Sequence, residues 1–302
     1  MALLHSVSYS GTWGHEALPL EAFVDRAADL GYDGVMLMAK RPHLSVLDWN
    51  HEACLRLKER LEARKMRTIC VAGYTNFTAD LEHTEVPMTE IQIQHVTDLA
   101  RMARDLGGSL VRVFTGYENP SAPYLAEWAL LVRALRECAR RAADYGVTIA
   151  VQNHHDVAAD YESQFDLIEE VDHPNCRAAF DAWAPALHGV DLERAAEKMG
   201  RITVLTTAAN YNVRRRYHLA TKLTMFEPIL ATARAVPIDE GFIDYNAFFD
   251  AMGRAGFRGA VTFEMCSPLR GGGSLENLDR YARRFVEFMS HREKPALATV
   301  EA

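Results

Sequence analysis

One unit recurs along this chain and restricts its fold more than any other feature. An amphipathic helical stretch closes at a glycine, and a short apolar run follows at once. The junctions read Leu30-Gly31-Tyr32, Leu106-Gly107-Gly108, Tyr145-Gly146-Val147, Met199-Gly200-Arg201 and Ala255-Gly256-Phe257. Glycine takes the left-handed conformation that closes a helix, so each junction predicts a helix C-terminus feeding a strand. Leu20, Phe23, Val24, Ala27 and Leu30 fall on one helical face behind Pro19, a residue suited to a first turn. Leu275, Leu278, Tyr281, Ala282, Phe285 and Met289 repeat that period near the C-terminus.

The runs between the helices lie near 4–9, 34–38, 67–72, 109–114, 147–152, 177–181, 201–206 and 259–264. They are short and almost continuously apolar, as strands covered on both faces should be. Eight strands, each followed by a helix, in 302 residues fit an α/β fold of one (β/α)8 TIM barrel. An open doubly wound sheet is the alternative, but the first strand–helix turn lacks a Gly-x-Gly-x-x-Gly fingerprint. No Pro/Gly/Ser linker divides the chain, and Gly271–Ser274 reads as a loop before the last helix. The expected organisation is one barrel over 1–293 and a disordered tail over 294–302.

Composition narrows the partners. With 33 Lys and Arg against 41 Asp and Glu the net charge is −8, which argues against a nucleic-acid backbone as ligand. The five cysteines, Cys54, Cys70, Cys138, Cys176 and Cys266, are scattered and read as reduced, mostly buried thiols. Met1–Ser6 has no basic segment or sustained apolar run, so no signal peptide is expected. No stretch approaches the roughly 18 apolar residues of a membrane span. A soluble, cytoplasmic protein with no membrane partner is the expectation.

Active sites of such barrels lie at the C-terminal strand ends. There stand Gln152-Asn153-His154-His155-Asp156 after the fifth strand, Asp181 after the sixth and Glu264 after the eighth. Two carboxylates and an amide thus converge on one mouth, where burial demands a cation, a hydrogen-bond partner or a proton. Each also has an ordinary structural alternative. Asp181 alone would cap a helix or pair with an arginine, and Glu264 would pair with Arg258 or Arg270. His154 and His155 are neighbours, so strand alternation should turn at most one of them inward.

These strand ends carry a resemblance. Gln152-Asn153-His154 resembles the Glu-Asn-His of the xylose isomerase-like TIM barrels, the sugar isomerase/epimerase and endonuclease IV superfamily. Gly241-Phe242-Ile243-Asp244-Tyr245, Gly256-Phe257-Arg258-Gly259 and Glu264 are similar to its Gly-x-Ile-Asp-Tyr, Gly-Tyr-x-Gly and Glu signature. Leu110-Val111-Arg112-Val113-Phe114-Thr115-Gly116 is similar to its fourth strand. The resemblance implies a divalent metal held by Glu, Asp, His and Glu of strands five to eight. Carried over, these are Gln152, Asp181, a strand-seven residue with Thr206 as nearest equivalent, and Glu264. The chain departs from the pattern at Gln152 and at strand seven, which has no histidine. Ala184 stands where a further histidine often follows the strand-six aspartate. The remaining donors suit Mg²⁺ or Mn²⁺ better than Zn²⁺.

Family epimerases place a carboxylate on each face of a sugar. An amide is no base, so Glu264 and His154 are left as the catalytic candidates. Trp13, Tyr74, Phe77 and Trp183 lie in strand-end loops, where they would wall a sugar ring or simply pack. The loop from Asn210 to His218 holds the densest basic cluster. Its Arg214 and Arg216 would grip an anionic substrate group, or form a solvated face or subunit contact. Three functions follow: a sugar isomerase or epimerase, a lyase or dehydratase on an oxidised sugar or glycoside, or a non-catalytic binding or assembly subunit. The expected partner is a small sugar or sugar derivative, with a homo-oligomer or partner subunit in addition. DNA repair wants a histidine-rich multi-zinc cluster and a basic face, which the sequence lacks.

Overall fold

The computed structural model describes residues 1–81 and 84–293, and the predicted 294–302 tail lies outside them. Eight parallel strands close into a barrel: β1 (Ala2–His5), β2 (Gly34–Met38), β3 (Arg67–Ala72), β4 (Leu110–Val113), β5 (Thr148–Gln152), β6 (Cys176–Ala179), β7 (Thr203–Ala208) and β10 (Ala260–Phe263). Closure joins β1 to β10 through Leu3↔Thr262 and its neighbours. Around them run α1 (Leu20–Asp29), α2 (His51–Ala63), α3 (Met88–Asp105), α4 (Tyr124–Ala143), α5 (Tyr161–Val171), α6 (Trp183–Leu187), α7 (Leu192–Met199), α8 (Tyr245–Arg254) and α9 (Leu275–Glu293). The single-barrel reading holds, with two helices between β6 and β7.

Local chemistry explains most boundaries. Pro19 precedes α1, and Asn50, Asp160 and Asp244 cap α2, α5 and α8 with side-chain oxygens that accept from backbone N–H groups. Gly31 and Gly146 close their helices at φ +88° and +68°, as expected of a left-handed cap. Gly200 does not: its φ is −55°, and it is small because an added Cβ would lie 2.5 Å from the Cβ of Ala255. The first strand is also shorter than 4–9, since Ser6–Tyr9 turns into a 3₁₀ segment where the Ser6 hydroxyl accepts from Met38 N–H.

Two cores support the mouth. The larger lies between strands and helices, and the smaller fills the barrel with Leu3, Met36, Cys70, Ala72, Leu110, Ala150, Ala179, Leu205 and Ala260. Alanines on neighbouring strands leave room above this plug. Arg112 of β4 stands in register with Ala72 on one side and Ala150 on the other, so its long side chain fits inside the barrel.

The basic segment after strand seven is not a loop. It forms β8 (Asn210–Ala220) and β9 (Met225–Val236), an antiparallel hairpin apart from the barrel sheet. Its base is buried at Tyr211, Ala235 and Val236, while most of the arm, Phe226 and Leu230 included, is exposed.

Candidate active site at the barrel mouth

A cleft of about 550 Å³ opens at the C-terminal ends of the strands. Glu264 lines it directly after β10, and Gln152 lines it at the end of β5. Trp13, Tyr74 and Trp183 line it as well, in agreement with their strand-end positions. Phe77 does not: it is fully buried in the outer core. Arg214 and Arg216 are not among the lining residues either, because the hairpin carries them out into solvent.

Asp181 sits just beneath the cleft and is neither a helix cap nor an arginine partner. One carboxylate oxygen accepts from Thr207 N–H at 2.7 Å and the other from the Gln152 amide nitrogen. Asn153 locks the same strand end, accepting from Asp181 N–H at 2.7 Å and donating to Asp181 C=O at 2.9 Å. Burial pushes the Asp181 carboxyl up to about 7, against the pull of its two donors, and the Glu264 charge adds to the rise. Burial also raises Glu264, opposed by Arg112 and by a hydrogen bond from the Cys266 thiol. Cys266 in turn meets the Tyr211 hydroxyl at 2.7 Å, so a half-buried thiol backed by a buried phenol stands beside the carboxylate. Neither arginine considered for Glu264 reaches it: Arg258 donates to the carbonyls of Gly253 and Phe257, and Arg270 pairs with Glu240.

Both histidines face the cleft, against the expectation that at most one would. His155 adopts φ +65° and ψ 168°, which breaks the strand alternation and brings its Nδ1 within 2.9 Å of His154 Nδ1. Burial, reinforced by His155 and Arg112, lowers His154 to about 4, so it is a neutral imidazole at pH 7.

Reading the strand ends did not single out four groups that the structure brings here. Arg112 and Lys40 line the cleft, Cys266 contacts Glu264, and His5 places Nε2 3.9 Å from the Glu264 carboxylate. A charged residue inside the apolar run Leu110-Val111-Arg112-Val113 was the available signal for the first of these.

The positions assigned to a metal, Gln152, Asp181, Thr206 and Glu264, do not form a set that fits one. Gln152 turns an N–H toward Asp181 rather than an oxygen toward a shared centre, and both Asp181 oxygens are occupied. Thr206 is fully buried with its hydroxyl unpartnered. The guanidinium of Arg112 occupies the same mouth. Among the described residues no group of three His, Cys, Asp or Glu side chains converges to hold a metal ion.

The Asp181 arrangement gives a pH signature. An acid raised in the folded state costs nothing below its unfolded pKa and its full penalty above its folded one. The penalty therefore grows from about pH 4 to about pH 7, reaching on the order of 4 kcal/mol. Asp181→Asn removes it, since a rotated Gln152 amide can offer its unpartnered oxygen to the new amide. The melting temperature of Asp181→Asn minus that of wild type should rise across this window and level off above it. A difference independent of pH would refute the raised carboxyl.

Residues 24–289 match the family model described as xylose isomerase-like TIM barrel. Fructoselysine 3-epimerase of Escherichia coli O157:H7 is 26% identical over 145 residues, covering 47% of this chain and 52% of that protein. The chain thus matches about half the length of this curated relative. D-psicose 3-epimerase from Clostridium cellulolyticum H10 superposes with a TM-score of 0.74 at 15% identity, covering 96% of this chain and 98% of that one. The probable 3-DHS dehydratase AsbF from Bacillus anthracis superposes with a TM-score of 0.72 at 17% identity, covering 96% and 99%. These structural likenesses show the fold. Among the described residues no helix is long and apolar enough to cross a membrane. A closed eight-stranded barrel and a family match across most of its length identify the chain as a member of the xylose isomerase-like TIM barrel family.

Proposed function

We propose that this protein is a sugar isomerase that moves a proton next to the carbonyl of a sugar-derived molecule, with Glu264 as the base. The observation that carries this reading is that, among the described residues, a single carboxylate, raised by burial, lines a sugar-sized cleft with two cations and aromatic walls. Ionised Glu264 takes the proton from the carbon beside the carbonyl, and the electron pair left behind moves onto the carbonyl oxygen. Arg112 and Lys40 supply a positive field for that charge. Protonated Glu264 returns the proton to the adjacent carbon on the same face. Neutral His154 passes the hydroxyl proton between the two oxygens. Trp183, whose buried indole N–H has no partner, donates to a substrate oxygen.

The epimerase relatives support a sugar-derived substrate, but Gln152 favours chemistry with one base over inversion between two. The same observation supports a second reading, elimination of a β-substituent by Glu264 as in a lyase or dehydratase. No step here runs through a metal, because the donors present do not fit one.

Incubation with ketoses, aldoses and oxidised sugars in D₂O tests the reading. One deuterium should enter the product at the former carbonyl carbon, and the exchange should persist in EDTA. An isomerised product and an unsaturated product separate the two chemistries. Exchange that is lost on chelation and restored by Mn²⁺ would overturn the metal-free route. No exchange with any sugar would leave the non-catalytic binding subunit.

A further inference from the structure

Arg112 is 2% exposed, yet it has no carboxylate within 4.0 Å among the described residues. One guanidinium nitrogen donates to Gly73 C=O at 3.0 Å, and Nε has no partner. The guanidinium carbon lies 3.9 Å from the Phe114 ring centroid and 4.9 Å from that of Tyr74. Lys40 reaches the same Tyr74 ring, its Nζ 4.0 Å from the centroid, and no carboxylate pairs with it among the described residues. Two cations thus share one aromatic platform at the side of the cleft. Burying an arginine without an ion-paired partner is costly, and Met or Leu would fill the barrel between Ala72 and Ala150 more cheaply. Among the described residues the ionised groups lining the cleft are Lys40, Arg112 and Glu264, and one further negative charge balances them.

We infer that the cleft takes an anionic substrate, a sugar-sized molecule whose negative group sits against Arg112 and Lys40 beside Tyr74. This rests on the isomerase or lyase reading of the same cleft and names its substrate class. A single negative charge matches the balance, so a carboxylate, as in a sugar acid, fits better than a phosphate dianion. Guanidinium and ammonium groups both suit such anions, and the burial of Arg112 strengthens its pull. The basic cluster of the hairpin, exposed and away from the cleft, is not needed for this purpose.

Calorimetric titration of the full chain at pH 7 tests the inference with three probes: D-gluconate, D-fructose and D-fructose 6-phosphate. Gluconate should bind at least 10-fold tighter than fructose and weaken as salt is raised. Lys40→Met should weaken gluconate about 10-fold and Arg112→Met more than 30-fold, with fructose changing less than 3-fold. Lys40 is exposed, so its variant remains informative even where Arg112→Met fails to fold. Equal binding of gluconate and fructose, or gluconate binding indifferent to Lys40→Met, would overturn the anion subsite. Phosphate bound tighter than gluconate, and lost in Lys40→Met, would keep the subsite and overturn the carboxylate assignment. Because binding needs no turnover, an absent deuterium exchange with intact gluconate binding would sink the catalytic reading alone.

Discussion

Glu264→Gln is expected to lower turnover at least about 10³-fold while leaving the melting temperature within a few degrees. The substitution keeps shape and an acceptor oxygen, so the Cys266 thiol retains its partner, but an amide takes no proton from carbon. Among the described residues Glu264 is the carboxylate lining the cleft, and Asp181, held beneath by Thr207 and Gln152, does not replace it. The pH profile adds a second readout. Burial raises the carboxyl, so the acid limb of kcat/KM should lie above the ordinary carboxylate range, with rate increasing as Glu264 loses its proton. Cys266→Ala removes a donor to the ionised form and should move that limb higher still. Its effect on the rate at pH 8 should be small. Steady-state kinetics from pH 4 to 9 on the three proteins decide the matter. A Glu264→Gln enzyme within 10-fold of wild type would transfer the role of base to another group.

The residues at strand ends were readable because a barrel fixes where its strands stop. Once Val147–Val151 and Ala260–Phe263 are seen as buried strands, Gln152 and Glu264 fall at the mouth without further information. Arg112 depends on more. Its room comes from Ala72 and Ala150, alanines some 40 residues away on either side, and their register with it is a tertiary fact. The left-handed backbone of His155 is likewise set by its surroundings, since a non-glycine residue rarely adopts it unaided. The hairpin escaped for the opposite reason. Its strands bury little, so no continuous apolar run marked them, and three successive arginines looked like a basic loop.

The most specific part of the family resemblance turns out to be structural, which leads to the largest stability effect expected here. Asn210, 1% exposed at the root of the hairpin, makes four hydrogen bonds. Its amide donates to Ile238 C=O at 2.6 Å and Ile243 C=O at 2.9 Å. Its oxygen accepts from Tyr211 N–H at 2.9 Å and Ile243 N–H at 3.1 Å. Gly241 is what admits this side chain: an added Cβ would lie 1.9 Å from Asn210 Oδ1 and 2.7 Å from Tyr211 N. The residues that follow complete the clamp, with Asp244 capping α8 and the Tyr245 hydroxyl donating to Ala209 C=O. Gly241→Ala must therefore expel Asn210 or shift the backbone. Either strands buried polar groups at about 1–3 kcal/mol each, for a total near 4 kcal/mol and a fall of about 10 °C in melting temperature. Activity should fall too, because Tyr211, displaced with Asn210, contacts both Cys266 and Trp183. Coupling gives the sharper test. In an Asn210→Ala background the two closest clashing atoms, Oδ1 and Cγ of Asn210, are gone and only the 2.7 Å approach to Tyr211 N remains, so Gly241→Ala should cost less than half of what it costs in wild type. Equal losses in the two backgrounds, measured by chemical denaturation, would mean that Gly241 serves the fold by some other contact.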